Sequence, residues 1–203
     1  MPISSSHPTK PLLLCAVLAI TTAPVIAASD FEHGLYLGFE TLPTEYGVEL
    51  GPFSGEEEFD SAFRFNFGYR GRSPQNIAFA IQTGLAISRE EIEDVSLSGF
   101  GFFAEPGISF RVADGFTVDL LASFGIGIST IDDESSGLDE NGSYTDIGII
   151  AQPGYRWPGG FRLAGRLGLL ARSQTWDTNS SIIDELTFDS SGAIIGLQLG
   201  YAF

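Results

Sequence analysis

The last thirteen residues, 191–203, read Ser-Gly-Ala-Ile-Ile-Gly-Leu-Gln-Leu-Gly-Tyr-Ala-Phe and constrain the chain more than any other stretch. Counting back in twos, Phe203, Tyr201, Leu199, Leu197, Ile195 and Ala193 form a wholly apolar face. The other face, Ala202, Gly200, Gln198, Gly196, Ile194 and Gly192, is small or polar with one exception. A period of two marks a strand, and a face this apolar must lie against something apolar. A final strand that runs to a terminal Phe makes lipid the natural covering.

Seven more runs between Phe31 and this one repeat the arrangement, separated by turn-rich stretches. Leu35, Leu37 and Phe39 oppose Tyr36, Gly38 and Glu40. Phe59, Phe63, Phe65, Phe67 and Tyr69 oppose Asp60, Ala62, Arg64, Asn66, Gly68 and Arg70. Later runs set Phe100, Phe102 and Ile108 against Glu105 and Arg111, and Phe116, Leu120 and Phe124 against Asp119. Ile147, Ile149, Tyr155 and Trp157 oppose Asp146 and Arg156, while Phe161, Leu163, Leu167 and Leu169 oppose Arg162, Arg166 and Arg172. The apolar faces carry no Arg, Asp or Glu. Seven of the ten Lys and Arg lie on the opposite faces.

Alternation alone fits a soluble barrel as well as a membrane one. Three features favour lipid on the outside. The apolar face is large and aromatic, while the other is rich in the Gly and Ala that suit the crowded interior of eight strands. The runs commonly reach about eleven residues, against ~5–6 for soluble strands and ~9–11 for membrane strands. Tyr69, Tyr155, Trp157, Phe161 and Tyr201 fall near one set of strand ends, as an interfacial girdle would. Seven Arg on a lipid face would cost roughly 14–28 kcal/mol at ~2–4 each, more than a fold's ~5–15 kcal/mol of stability. They must point inward.

Connections alternate in length. Residues 71–76, 113–115 and 158–160 read as tight turns; 41–58, 131–143 and 173–186 read as long loops, with 89–96 intermediate. With both termini at the short-turn end, this predicts short periplasmic turns and long outward loops. The fold class expected is therefore all-β, a closed eight-stranded antiparallel up-and-down transmembrane β-barrel. Ahead of it, Lys10, an apolar run over residues 12–20 and an Ala-containing stretch predict a cleaved signal peptide over 1–27, with the cut after Ala27 or Ala28. Residues 28–203 are expected to be the barrel domain. Cleavage removes the only Cys and the only Lys, leaving nine Arg against 26 Asp and Glu, a net charge of −17. Disulfides and Cys-ligated metals are thereby excluded, and such a surface repels nucleic acid.

Through its alternation, loop asymmetry and terminal Tyr201-Ala202-Phe203, the mature chain resembles the OmpA-like and OmpX-like eight-stranded outer-membrane β-barrel family. The resemblance implies that Leu197, Leu199, Tyr201 and Phe203 are the assembly signal read by the barrel assembly machinery. It also implies outer-membrane lipid and lipopolysaccharide as surroundings, and a monomer. The chain ends at the barrel, so the peptidoglycan-binding role of two-domain OmpA-like members is not expected.

Three constellations invite a chemical reading. A lumen charge network is expected from Glu40, Asp60, Arg64, Arg70, Glu105, Arg111, Asp119, Asp146, Arg156, Arg162, Arg166 and Arg172, because charges crowded into a narrow barrel must be paired. Acidic runs at Glu56-Glu57-Glu58, Glu90-Glu91 with Glu93-Asp94, and Asp132-Asp133-Glu134 with Asp139-Glu140 fall in outward loops. They read as solvated, self-repelling surface, with divalent cations as candidate partners. His33 is the only mature His and has no Ser beside it, so no activated nucleophile, cofactor or metal centre is expected. The Gly99/Gly101 and Gly125/Gly127 pairs lie in or beside strands and read as relief of lumen crowding. The role expected is structural or surface-interactive. A narrow channel for small or hydrophobic solutes is the alternative, and a lipid A-modifying enzyme comes third.

Overall fold

The computed structural model describes residues 31–50, 53–92, 95–133, 138–177 and 185–203, and every regular element among them is a strand. In chain order these are β1 (Glu32–Thr41), β2 (Glu45–Leu50), β3 (Phe53–Glu58), β4 (Ser61–Arg72) and β5 (Ile77–Ile92). They continue as β6 (Val95–Ala113), β7 (Phe116–Asp133), β8 (Leu138–Arg156), β9 (Phe161–Asp177) and β10 (Glu185–Ala202). Pairing is antiparallel throughout, in the spatial order β1-β4-β5-β6-β7-β8-β9-β10, and β1 pairs back onto β10 to close a ring of eight. Closure satisfies the ladder of every spanning strand, which a hydrocarbon surrounding requires.

β2 and β3 are a hairpin that prolongs β1 and β4 beyond this ring. Opposite β10 the register runs without a slip, from Gly34 facing Ala202 to Leu50 facing Leu186, so β1 and β2 form one line interrupted at Pro43. Proline has no N–H to give to a ladder. On the other side the register shifts by one residue: Thr41 faces Phe63, but Glu45 faces Glu58. The extra residue lies at Phe59–Asp60, where Phe59 N–H donates to the Thr44 carbonyl and Asp60 N–H to that of Glu91. A one-residue insertion sends every side chain beyond it to the opposite face. Phe59 and Asp60, expected on the lipid face and in the lumen respectively, therefore exchange sides: Phe59 is buried and Asp60 exposed.

Around the lower part of the ring the expected polarity holds. Leu37, Phe67, Phe102, Ile128, Ile149, Leu169 and Leu197 all stand exposed on the outer face, Ile149 at 70% of its surface. Nothing but lipid stabilises so much exposed aliphatic and aromatic surface arranged as a continuous belt. The girdle at the short-turn end includes Tyr155, Trp157, Phe161 and Tyr201, and Trp157 packs against both Tyr155 and Phe161 with ring centroids 5.0 and 5.4 Å apart. Turns there are short: Asp114-Gly115 joins β6 to β7, with Gly115 at φ +75°, and a Cβ at this position would lie 2.5 Å from the Arg156 carbonyl oxygen.

Above the belt the polarity inverts. The segments expected as long outward loops are largely strand: β7 runs to Asp133, β8 starts at Leu138, β9 runs to Asp177 and β10 starts at Glu185. The nineteen residues of β6, at ~3.4 Å rise and ~40° tilt, reach roughly 50 Å along the axis, about twice a ~25 Å lipid belt. On the part that rises clear of lipid, Ser98, Asp132, Asn141, Ser173 and Asp189 face outward. Leu42, Tyr46, Phe59, Leu97, Ile131, Trp176 and Leu186 are buried inside it. Tyr46 stacks on Phe59 at 4.2 Å, and Phe188 meets the edges of both Tyr46 and Trp176 at 5.3 Å. The outer end is thus a crown, packed like a water-soluble β-barrel, standing on a membrane barrel of the opposite polarity. The signal segment expected over 1–27 lies outside the described residues, as do Glu93, Asp94 and Glu134 of the acidic runs.

The inversion sets the height of the membrane and can be tested. Ile149→Arg, on the belt, is expected to destabilise the barrel by ~2–4 kcal/mol in urea unfolding from lipid vesicles. Asn141→Arg, eight residues up the same strand, should stay within ~0.5 kcal/mol of wild type.

Candidate functional site

The lumen is where alternation concentrates the chain's chemistry. Side chains at even positions of β1, β4 and β5 and at the matching positions of later strands converge on the axis, and those with charge find opposite partners across the barrel. At the centre Arg166 donates through Nε to Glu40 at 2.9 Å and through Nη2 to Glu105 at 2.6 Å. Arg64 holds the same Glu40 through Nε at 2.6 Å and reaches Asp146 through Nη1 at 2.7 Å. Asn66 donates to Glu40 as well, at 2.8 Å. Towards the crown, Arg172 makes two bonds to Asp146, at 2.7 and 2.9 Å, and one to Glu90 at 2.5 Å. Towards the short turns, Arg70 grips Asp119 with Nε and Nη2, and Arg162 shares that carboxylate at 3.2 Å.

Glutamines link these groups. Gln82, Gln152 and Gln198 form a ring of side-chain amides, Gln82 to Gln152, Gln152 to Gln198 and Gln198 to Gln82, at 2.8–3.1 Å. Arg166 donates to Gln152 and Arg162 to Gln198. All five arginines and the carboxylates of Glu40, Glu90, Glu105, Asp119 and Asp146 are buried, so the network is one electroneutral body running along the axis. Eight strands leave only enough room for side chains, and here those side chains are locked to one another. Glycines make the space: a Cβ at Gly127 would lie 2.4 Å from the Tyr144 ring, and one at Gly101 2.5 Å from its hydroxyl. Tyr144 fills that hollow, with the Arg172 guanidinium 4.7 Å from its ring centroid.

Nine of the twelve residues expected in the lumen network are buried in it: Glu40, Arg64, Arg70, Glu105, Asp119, Asp146, Arg162, Arg166 and Arg172. Three are not. Asp60 is carried outside by the bulge. Arg111 and Arg156 sit where β6 and β8 end, below the lipid belt, and their half-exposed side chains pair with Glu32 at 3.1 and 3.5 Å. Two buried charges were missing from the expectation, Glu90 within the network and Arg72 beside it. Glu90, read as part of an acidic outward loop, points inward to Arg172 and Gln174. Arg72, read as part of a turn, is buried, donating to Ser109 and to the carbonyls of Ser73 and Gln75. Carrying the alternation one step past Arg70 and Ser88 reaches both.

His33 lies at the short-turn end, its Nδ1 hydrogen-bonded to the Tyr69 hydroxyl and its ring stacked near Phe203, whose N–H donates to the His33 carbonyl at 2.8 Å. Leu197, Leu199, Tyr201 and Phe203 all project from the outer face. Among the described residues no three His, Asp or Glu side chains are grouped to hold a metal ion.

No protein-family model matches the sequence, and no curated protein matches it. Solved structures with a related outline include Ail, the attachment invasion locus protein of Yersinia pestis, at 16% identity over 86% of this chain and 99% of that one, TM-score 0.46. Neisserial surface protein A is similar at 11% identity over 82% and 96%, TM-score 0.44. OprG from Pseudomonas aeruginosa is similar at 9% identity over 86% and 96%, TM-score 0.43. Likenesses this distant say nothing of what the chain binds. The location follows from the barrel itself: an even ring of antiparallel strands, a lipid belt, an aromatic girdle and one short-turn end are the features of outer-membrane barrels. The protein is an integral barrel of the bacterial outer membrane.

Removing Arg166 leaves two buried carboxylates short of a partner. Arg166→Met is expected to cost about 3–5 kcal/mol in urea unfolding. Adding Glu105→Gln to it should recover part of that loss, because one of the stranded charges is gone.

Proposed function

We propose that this is an OmpA-like or OmpX-like barrel whose role is structural or surface-interactive, exerted by its acidic outer crown and not by transport or catalysis. One observation carries the reading. The lumen holds an electroneutral network of interlocked side chains, which leaves the outer surface as the part free to act. That surface is stiff, because strands and an apolar core support it, and it is acidic: Glu45, Glu56, Glu58, Asp132 and Asp189 are exposed. Glu45, Glu56, Glu58 and Asp189 border a recess of about 480 Å³ between β2, β3 and β10. Such a field attracts cationic surfaces and divalent cations, which in the outer leaflet would also bridge to lipopolysaccharide phosphates.

Leu197, Leu199, Tyr201 and Phe203 serve as the recognition strand for the barrel assembly machinery, and the mature barrel works as a monomer. Catalysis is disfavoured at His33, whose Nδ1 is hydrogen-bonded to the Tyr69 hydroxyl and which has no Ser or Thr hydroxyl bonded to it among the described residues.

Two measurements test this. The refolded protein in planar bilayers is expected to give no reproducible single-channel steps; regular steps would restore the channel reading. Cells displaying the protein should attach to polycationic surfaces, and Glu45→Gln/Glu56→Gln/Glu58→Gln/Asp189→Asn should lower attachment roughly threefold or more while heat-modifiable gel mobility is kept. Undiminished attachment by that folded variant would remove the crown from the account.

A further inference from the structure

The charge of the short-turn mouth runs against that of the whole chain. With 26 Asp and Glu available, the fold places a single carboxylate, Glu32, among three guanidinium groups. Arg72 stands 3.6 Å from it, Arg111 3.1 Å and Arg156 3.5 Å. Just above, Arg70 and Arg162 share Asp119. Arg70, Arg162 and Asp119 belong to the electroneutral lumen network, which leaves Arg72, Arg111 and Arg156 facing Glu32. The other acid at this rim, Asp114 on the β6–β7 turn, makes no ion pair among the described residues.

The donors are also under-used. Arg156 is 42% exposed and touches Glu32 only as an ion pair, without a hydrogen bond. Arg111, at 36%, makes one. A guanidinium presents five N–H donors in a fork that matches the oxygens of carboxylate and phosphate. Together with Arg70, Arg162, Glu32, Asp114, Gly115 and Thr117, these two line a recess of about 210 Å³ at the short-turn end. At ~30 Å³ per water this holds several waters or one small oxyanion with part of its hydration shell. With Arg70, Arg162 and Asp119 counted in it, the lumen network above is neutral and interlocked, so the positive charge left over around Glu32 has no protein partner there.

We infer that this mouth binds a small oxyanion of the phosphate or carboxylate class, entering along the barrel axis from the periplasm, with Arg111 and Arg156 as its principal donors. Both side chains lie on lumen-side positions of their strands and line the recess, which favours a ligand on the axis. Binding would offset the repulsion among Arg72, Arg111 and Arg156 that Glu32 leaves uncancelled.

The test uses the full mature barrel, refolded in a sugar-headgroup detergent that contains no phosphate, at constant ionic strength set with sodium chloride. Inorganic phosphate and acetate are titrated while backbone and Arg Nε resonances are followed by NMR. The expected result is a saturable shift confined to the mouth, weakened about tenfold or more in Arg111→Gln/Arg156→Gln and unchanged in Arg89→Gln at the crown. Each variant's spectrum away from the mouth reports that it is folded. A short-chain phosphatidylglycerol titrated in parallel distinguishes the source: saturation of the same resonances by the lipid, competed by phosphate, assigns a headgroup as a natural supplier of the oxyanion. No saturable shift with any of the three, or equal shifts in the double variant, would overturn the inference.

Discussion

The pairing of charge inside a ring only wide enough for side chains is the condition on which the rest of this molecule depends. Lipid on the outside forbids arginine there, and the ring is closed, so the charged side chains of the spanning strands have one place to go. Once inside they lose bulk solvent, and a lone buried charge would be worth more against the fold than any one strand contributes. The solution here is five guanidinium groups against five carboxylates, with a triangle of glutamines as connecting insulation. Partners come from strands far apart in the chain, such as Glu40 with Arg166 and Glu90 with Arg172. The network therefore holds opposite walls together as well as neutralising them.

Other features follow from that crowding. Glycines on the lumen face are needed wherever a large side chain crosses, as beside Tyr144. The barrel offers little interior volume for a ligand, which moves any interaction to its two ends. Those ends differ in sign. The outer crown is acidic and carries an apolar core of its own; the periplasmic mouth gathers arginines around a single glutamate. A chain with a strongly negative total thus presents a negative face to the outside and a positive one to the periplasm.

The crown is a second solution to the same packing problem under a different solvent. Where lipid surrounds the wall, apolar side chains face out; where water does, they face in. The strands pass through this change of surroundings without a break in β6 to β10. In the first hairpin the transition coincides with Pro43 and with the one-residue bulge at Phe59–Asp60, which brings Phe59 under the crown beside Tyr46. That stacked pair ties the hairpin to the core it covers.

The sequence alone determined the eight strands of the ring, the closed all-β architecture, the lipid-facing side and most of the lumen set, because a period of two is a local property that each residue reports for itself, but it did not determine the β2–β3 hairpin. It was silent where position depends on other strands. The bulge that exchanges Phe59 and Asp60 is a matter of register with β1, and nothing in the local pattern marks it. Glu90 and Arg72 were lost because acidic runs and turn-rich stretches read as solvent-exposed, although parity carried one step further includes them. The crown could not be foreseen, since Ser, Asp and Asn on one face and Leu, Ile and Trp on the other look like loops to a reading that expects the apolar side to meet lipid. Which carboxylate holds which arginine, and that Arg111 and Arg156 share Glu32 at the mouth, only the tertiary structure decided: those pairings are set by strand tilt and stagger around the closed ring, which bring together residues tens of positions apart.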